Sequence, residues 1–584
     1  MLLTFCVGGV VCCAQRAKCL NLIIMRKRYQ EVSMSAYIVV GRNDHRHEAL
    51  KKGFNLRWPS NGQGADFIYV CKDRASVWAA ANDALKKNYR ITVRSGGHCY
   101  EGFVSNKLGG QKSQKLAIID LGLMTGVESS ETGELRSPYN ESVKYKFRIS
   151  SGNQNWDGFT SLYKTANRTI PGGSCYSVGA GGHISGGGYG LLSRMHGLTV
   201  DWLSGVDILV PNKAGDALEV KHVHASSDES NGERDLFIAC RGAGGGNFGI
   251  ILDYYFKELP QAPQQAYLLS LAWPWSAFDN KDKLSHFLNE YWRWFSENDE
   301  HWNSDQLFKA NGGLFTLLKL QHRSTGDINL LIQYTGMDGR VDGDRQTDPL
   351  VEFVTHMNKA AGTNAFVTTQ DALFGPVRSR HSTEPKLNNI LQDARKMDWL
   401  YLTQMLNGSG NNQYGKYKSF YQIGNFSTVE INAIWKFFNE KDDAVLNQAL
   451  LQIDSYGGCI NVNNEQENPT SVYQRRSLLK SQLQVYWSNP AHEGYCVEWC
   501  REFYKAFFGQ QGGKPFADNQ RYEGCYINYP DIDIKYTDDS HAAVDTRWLE
   551  LYYGGKRQML IETKKKFDPK NIFRSELSIP LAHP

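Results

Sequence analysis

The chain has 584 residues, of which 41% are hydrophobic and 22% charged, as is typical of a soluble globular protein. Its 65 basic and 61 acidic side chains leave a formal net charge of +4, which gives no electrostatic basis for a nucleic-acid partner. The 12 cysteines include no CxxC pair, so no metal site is predicted.

Residues 1–34 are predicted to lie apart from the folded protein. The run from Leu2 to Ala14 is apolar and has the length of a signal peptide, but no positive charge precedes it, and it is too short to span a membrane. Either the segment directs secretion, or translation starts at Met25 or Met34 and the protein stays in the cytoplasm. Four Asn-x-Ser/Thr sequons, at Asn140, Asn167, Asn407 and Asn425, are compatible with secretion.

Between residues 65 and 260, short strands alternate with helices and glycine-rich turns, which is an α+β pattern. An Ala-rich amphipathic stretch predicts a helix at 76–87, and a strand at 90–94 runs into a glycine turn. Further strands are predicted at 66–70, 116–121, 145–149, 206–210 and 250–256.

From about residue 262 the pattern changes to longer elements, such as a helix at 285–296 and a strand at 329–334. The last sixty residues return to short elements. They include a helix at 557–567, which is expected to stop at Asp568-Pro569. Nothing in these patterns indicates an oligomeric state.

Three glycine-rich stretches, at 94–103, 172–190 and 241–249, predict a site for a phosphate-bearing ligand. Glycine lets the backbone approach a ligand closely, so that successive N–H groups converge on an anion such as a diphosphate. No Gly-Lys-Ser/Thr closes a P-loop, and the GxGxxG at 244–249 precedes a strand rather than a helix, which excludes a Rossmann site. Glycines that merely form turns would explain any one stretch. They fit the second poorly, because 9 of its 19 residues are Gly.

The order of these motifs resembles the berberine-bridge-enzyme-like family of FAD-linked oxidases, which has the vanillyl-alcohol-oxidase fold. The resemblance covers residues 36–580. It is carried by RSGGHCYEGF at 94–103, the stretch at 172–190, DWLSGVDILV at 201–210, RGAGGGNFGII at 241–251 and YINYPD at 526–531. Within the family, the chain is most similar to the hexose-oxidase branch. This similarity is carried by NGSG at 407–410, GKYKS at 415–419 and YEGCY at 522–526.

The resemblance implies an α+β fold with a two-part, PCMH-type FAD-binding domain and a substrate domain built on an antiparallel sheet covered by helices. On this basis residues 35–262 form the FAD-binding domain and 263–520 the substrate-binding domain. Residues 521–584 form a C-terminal segment that returns to the FAD domain. The active site is expected between the two domains, a usual place for a small-molecule site.

The resemblance further implies that FAD is held by two covalent bonds, from His98 to the flavin 8α carbon and from Cys175 to flavin C6. His183 matches a histidine near the flavin N1/C2=O edge, where negative charge grows on reduction. Val178 matches a position that gates oxygen. Taken singly, His98 also fits a turn histidine and Cys175 a buried thiol. His183 likewise fits a structural histidine, and Val178 fits ordinary packing. The other predicted cofactor-binding residues are Arg94, Ser95, Gly96, Gly97, Cys99, Tyr100, Gly179, Gly182, Gly187, Gly188, Gly246, Asn247, Gly249, Ile250 and Asn528.

Tyr526 matches the family's general base, which takes the alcohol proton while hydride leaves for the flavin. A tyrosine with the reference pKa of about 10 is a poor base at neutral pH, so a positive or hydrogen-bonding neighbour is required. Gln482 matches a glutamine that faces the substrate, but Gln484 is an open alternative because alternate strand residues share a face. The remaining predicted substrate-side residues are Tyr189, Tyr529 and Asp454.

The implied function is a carbohydrate oxidase that converts the C1 hydroxyl of a mono- or oligosaccharide to a lactone and reduces O₂ to hydrogen peroxide. Its expected partners are a small sugar and O₂. Two alternatives stay open: a flavin oxidase of another alcohol or glycosylated secondary metabolite, and a flavin-binding protein without turnover. A nicotinamide reductase is excluded by the missing Rossmann context.

Overall fold

The computed structural model describes residues 37–109, 113–298, 311–342, 347–368, 385–406, 412–463, 465–518 and 520–584. The segment 1–34, the sequon at Asn407 and the NGSG stretch at 407–410 lie outside these ranges. Within them, no helix is long and apolar enough to cross a membrane.

The first sheet is mixed and has the strand order β1-β2-β4-β3, in which β2, β4 and β3 run parallel to one another and β1 is antiparallel to β2. Its strands are β1 (Tyr37–Gly41), β2 (Phe67–Cys71), β3 (Arg90–Arg94) and β4 (Leu116–Asp120). The strand β3 has the predicted bounds, and its end delivers the first glycine-rich stretch.

The second sheet is antiparallel, in the order β10-β9-β11-β8-β5. Its strands are β5 (Val127–Ser129), β8 (Phe147–Ser150), β9 (Leu203–Pro211), β10 (Leu218–His224) and β11 (Ile250–Phe256), and β6 (Leu135–Ser137) pairs separately with β7 (Asn140–Tyr145).

The third sheet is antiparallel and runs β15-β12-β14-β13-β18-β19-β17, with β16 paired to β12. It comprises β12 (Gln265–Pro274), β13 (Leu314–Gln321), β14 (Asp327–Tyr334), β15 (Phe366–Val367), β16 (Arg395–Asp398), β17 (Tyr414–Gln422), β18 (Ala449–Ser455) and β19 (Leu479–Trp487). This sheet, with helices on one face, confirms the predicted α+β class.

The helices are α1 (His47–Leu50), α2 (Arg74–Lys86), α3 (Asn155–Ala166), α4 (Ala180–Ser185), α5 (Ser193–His196), α6 (Thr199–Trp202), α7 (Glu233–Cys240), α8 (Lys281–Asn298), α9 (Asp348–Ala361), α10 (Ile390–Asp393), α11 (Trp399–Met405), α12 (Thr428–Ile434), α13 (Glu493–Phe507), α14 (Trp548–Tyr553) and α15 (Arg557–Phe567). The last has the predicted bounds. The predicted helices at 76–87 and 285–296 correspond to α2 and α8.

Helices α8 and α13 cover one face of the third sheet. On α13 the buried residues include Cys496, Cys500 and Phe503, three to four positions apart, and this stripe turns toward β17 and β19. On α8, Tyr291 shares a hydrogen bond of 2.7 Å with the hydroxyl of Thr316 on β13. With this face covered, the opposite face of the sheet is left to form a wall of the site.

Candidate active site

A cavity of about 410 Å³ lies where the glycine-rich stretches, the third sheet and the C-terminal segment meet. Most of the predicted site residues line it together. They are Arg94, Ser95, Gly96, Gly97, His98, Cys99, Tyr100, Cys175, Val178, Gly179, Gly182, His183, Tyr189, Gly246, Asn247, Gly249, Asp454, Gln482, Tyr526, Asn528 and Tyr529.

Gly187, Gly188 and Ile250 lie outside the lining of this cavity, and their contact with the cofactor stays a prediction. Ile250 lies at the start of β11, pairs with Leu209 and is fully buried in the core. Gly188 has a φ of +75°, and a Cβ there would stand 2.5 Å from that of Thr199. The glycines at 187 and 188 let the chain turn closely past Tyr526 and Thr199.

The segments that carry His98 and Cys175 pack backbone against backbone. A Cβ on Gly96 would lie 2.3 Å from the amide nitrogen of Gly179, so only glycine permits this approach. The His98 ring stacks on Phe54 at a centroid separation of 3.9 Å, and its Nε2 lies 2.8 Å from the hydroxyl of Ser177. The two predicted attachment residues therefore face the same cavity from two joined loops.

Burial sets the protonation states of these two side chains. It lowers the pKa of His98 to about 4 and raises that of Cys175 to about 12. At neutral pH the imidazole is neutral, so one of its ring nitrogens carries a lone pair, and the thiol is protonated.

The lining residues fit FAD. Beyond its neighbours along the chain, a Cβ on Gly182 or Gly246 would meet no atom within 4 Å, so bare backbone faces open space, as a diphosphate requires. Several lining residues were not predicted from the sequence. The unpredicted ones include Ile91, Thr92, Val93, Phe103, Val104, Leu121, Phe573, Arg574, Ser575 and Leu577.

His183 presents a neutral ring of fixed orientation. Its Nε2 accepts a hydrogen bond of 2.9 Å from the Gly173 amide, so the proton of the neutral ring lies on Nδ1. Burial, and secondarily the charge of Lys480, lower its pKa to about 4. Asn528 donates to its backbone carbonyl at 3.0 Å. The ring can therefore serve as a hydrogen-bond donor but not as a cation.

Arg94 and Ser95 use their side chains to hold the first glycine-rich turn. The guanidinium of Arg94 donates to Asp120, with an Nε–Oδ2 distance of 3.0 Å, and to the carbonyl of Lys52 at 3.1 Å. The hydroxyl of Ser95 donates to the carbonyl of Ser151 at 2.6 Å. Both residues line the cavity, but the guanidinium of Arg94 and the hydroxyl of Ser95 donate these hydrogen bonds to acceptors in the protein.

Tyr526 has the hydrogen-bonding pattern of a base. Burial raises its pKa to about 12, while the Asn528 side chain and the backbone amides of Tyr189 and Gly188 oppose the rise. Asn528 donates to the phenol oxygen at 3.0 Å. Donors that point at this oxygen stabilise the phenolate, as an oxyanion hole does.

Tyr189 has the opposite pattern. Its hydroxyl donates to the carbonyl of Ser455 at 2.6 Å, a bond that would be lost on ionisation, and burial raises its pKa well above the ordinary value. Between these two tyrosines, Tyr526 is the better proton acceptor. Tyr189 instead supports the site through its ring.

Lys480, which was not predicted from the sequence, lies among the tyrosines. Its Nζ is 4.4 Å from the ring centroid of Tyr189, 4.7 Å from that of Tyr529 and 5.7 Å from that of Tyr526. It is fully buried and forms an ion pair with Asp454. Burial lowers its pKa and the Asp454 carboxylate raises it. The ion pair of Lys480 with Asp454 therefore stands next to Tyr526.

Three glutamines form a hydrogen-bonded wall on the cavity face of the third sheet. Gln484 donates to the side-chain oxygens of Gln482 at 2.8 Å and Gln452 at 3.2 Å, and Gln452 donates to Asp454 at 3.0 Å. Both candidates from the sequence line the cavity, because alternate residues of β19 share this face. Aromatic rings border the amides, including Tyr100, whose hydroxyl accepts from Gln482 at 3.2 Å.

Comparison with known proteins assigns the family. A family model described as an FAD binding domain matches residues 65–218, and one described as berberine and berberine like matches residues 525–580. Hexose oxidase from Chondrus crispus is 36% identical, over 93% of this chain and 96% of that protein. The chain belongs to the berberine-bridge-enzyme-like family of FAD-linked oxidases.

Two further relatives extend the comparison. Aclacinomycin-N/aclacinomycin-A oxidase from Streptomyces galilaeus is 31% identical, over 93% of this chain and 90% of that protein. The crystal structure of a glycopeptide hexose oxidase complexed with teicoplanin has a TM-score of 0.76 and 26% identity, and the match covers 94% of this chain and 99% of that one. The predictions of an FAD cofactor and of an oxidoreductase are confirmed.

For this family member, the hydrogen bond from Asn528 gives a pH prediction. Asn528→Ala removes a donor to the Tyr526 oxygen, and the loss of a group that lowers the pKa must raise it further. We expect the rise of kcat/KM with pH to move to higher pH, with less activity at neutral pH. The pH profile of kcat/KM checks this. The variant and the wild type are compared at matched flavin content, because Asn528 also donates to the carbonyl of His183. If the rise of kcat/KM stays at the same pH or moves to lower pH, the prediction is wrong.

Proposed function

We propose that this protein is an FAD-dependent carbohydrate oxidase whose flavin is attached through His98 and Cys175. It oxidises the C1 hydroxyl of a mono- or oligosaccharide to the lactone and reduces O₂ to hydrogen peroxide. The sugar loses two electrons and two protons, and O₂ gains both, so the reaction balances without a further reactant.

One observation carries the proposal: a phenol with donors aimed at its oxygen lies in the same cavity as both attachment residues and an amide wall. A site for binding alone would need no activated base beside the cofactor. The identity to hexose oxidase supports a sugar as the alcohol that is oxidised.

The chain's own residues handle the proton of the substrate. The bound FAD supplies the hydride acceptor. Tyr526 takes the hydroxyl proton on its phenol oxygen, and Asn528 stabilises the charge before the transfer by its hydrogen bond to that oxygen. Lys480 adds a positive charge 5.7 Å from the Tyr526 ring centroid, which favours the ionised phenol.

The amide wall and its bordering rings suit a sugar. Gln452, Gln482 and Gln484 offer both donors and acceptors, which match hydroxyl groups that also do both. The rings of Tyr100 and Tyr417 stack at 3.8 Å, and such rings cover the apolar C–H face of a pyranose. We propose that the wall orients C1 toward Tyr526, and that the small side chain of Val178 leaves room for O₂.

A second candidate function is oxidation of a glycosylated secondary metabolite in the same cavity. It is favoured by the 31% identity to aclacinomycin-N/aclacinomycin-A oxidase. Tyr526 and Lys480 would act in the same way. The two substrates would differ only in the group attached to the sugar that reacts.

A panel of free mono- and oligosaccharides, mixed anaerobically with the holoenzyme, tests the proposal. We expect at least one sugar to bleach the flavin absorbance, and admission of O₂ to restore it with one peroxide and one lactone formed per sugar. Reduction by glycosides alone, with free sugars inert, would favour the second candidate. A flavin that no sugar or glycoside reduces contradicts both.

A further inference from the structure

A buried ionic cluster lies directly behind the tyrosines of the active site. Along β17, Tyr417 lines the cavity, while Lys416 and Lys418 alternate with it and point to the covered face. Both lysines are nearly inaccessible, at 1% and 3% exposure. Charges so deeply buried persist only when they are paired.

Three carboxylates from two other parts of the chain provide the pairing. Lys416 contacts Glu101 and, at 2.6 Å, Oδ1 of Asp531. Lys418 contacts Oδ2 of Asp531 at 2.6 Å and Asp533 at 2.9 Å. Burial alone would lower the pKa of Lys416, but Asp531, Asp533 and Glu101 raise it, so its ammonium stays charged.

The outer side of the cluster is closed by α13 and the C-terminal segment. Arg501 of α13 donates to Asp533 at 2.8 Å, and His541 lies 3.0 Å from the same carboxylate. Lys418 lies 4.9 Å from the ring centroid of Tyr504. Asp533 is therefore held from several sides, whereas Glu101 is held by Lys416.

Lys416 also lies 3.3 Å from Asp533, but the two carboxylates that it contacts more closely are each within two residues of a cavity tyrosine. Glu101 follows Tyr100 directly, and Asp531 comes two residues after Tyr529. The rings of these two tyrosines lie 5.7 Å apart, although they belong to segments more than 400 residues apart in sequence. Lys416 is thus a single buried charge that ties both segments to one strand.

We propose that Lys416 is a positioning residue: its contacts with Glu101 and Asp531 set the placement of Tyr100 against Tyr529 across the substrate cavity. Burying such a pair adds little net stability compared with an apolar replacement, and its contribution is a defined geometry. The kinetic part of this inference rests on the proposed function, because it assumes that a sugar reduces the flavin.

The test compares Lys416→Met with Lys418→Met in the flavin-loaded protein. Both variants remove one buried ammonium from the same face of β17. Lys418, however, contacts Asp531 and Asp533, which both belong to the C-terminal segment. Crystal structures give the separation of the Tyr100 and Tyr529 rings, and anaerobic mixing gives the rate of flavin reduction at saturating sugar. Thermal unfolding measures the stability that each variant loses.

We expect Lys416→Met to shift the ring separation and to slow reduction by about ten-fold or more, since misplacement of about 1 Å can cost 100-fold. Lys418→Met should lose similar stability while keeping both the separation and the rate. Equal rates in the two variants, or an unchanged separation in Lys416→Met, would overturn the proposal. If Lys416→Met does not fold, Glu101→Gln takes its place with the same expected and contradicting results. If no sugar reduces the wild type, the proposed function fails while the ring separation still decides this inference.

Discussion

Replacing Tyr526 with phenylalanine is expected to lower kcat by about 10²- to 10⁴-fold, the usual contribution of a positioned base. The change removes only the oxygen that accepts the hydrogen bond from Asn528. The ring, which is only 5% exposed, keeps its packing, so flavin content and stability should stay close to those of the wild type. Stopped-flow reduction at saturating sugar measures the loss directly.

Tyr529→Phe is the matched control for this prediction. Its ring centroid lies 5.0 Å from that of Tyr526 and 4.7 Å from Lys480, so the same atom is removed from the same cavity. We expect a much smaller loss, since burial raises the pKa of Tyr529 well above its ordinary value. If Tyr529→Phe lost as much activity as Tyr526→Phe, the assignment of the base to Tyr526 would be wrong.

Removal of the buried cation should have the next largest effect. Lys480→Met takes a positive charge away from the Tyr526 ring, which makes the ionised phenol less favourable and so raises its pKa. At this separation we expect reduction to slow by about 10- to 100-fold, and the rise of kcat/KM with pH to move to higher pH.

Asp454 complicates that variant, because it would be left buried without its cationic partner. The double variant Lys480→Met/Asp454→Asn removes both charges and serves as the control for folding. The same slow reduction in the single and double variants supports a role for the cation. Recovery of the wild-type rate in the double variant would mean that the unpaired carboxylate, not the missing cation, caused the loss.

Local patterns were enough to predict much of the fold. The bounds of β3 and α15 follow from an alternating strand before a glycine turn and from a helix stopped at Asp568-Pro569. The glycine-rich stretches likewise predicted the cavity, because glycines clustered so densely indicate a backbone that a ligand approaches closely. The assigned domain boundaries stay a prediction.

Lys480 could not be predicted because its environment is made by distant segments. In sequence it is a lysine at the start of an alternating strand, which usually faces solvent. Lys480 belongs to the site because the fold brings the rings of Tyr189 and Tyr526 next to it from other parts of the chain. The position of Ile250 was equally hidden: it follows a glycine motif, but the strand that begins there turns its side chain into the core.

The attachment of FAD to His98 and Cys175 is tested most directly by acid precipitation followed by intact-mass measurement. We expect the wild type to gain the mass of one FAD and to give a yellow pellet. His98→Ala and Cys175→Ala should each retain the flavin through the other bond, and only the double variant should release it. Flavin found wholly in the supernatant of the wild type would contradict both bonds, and the carbohydrate-oxidase proposal would then rest on family membership alone.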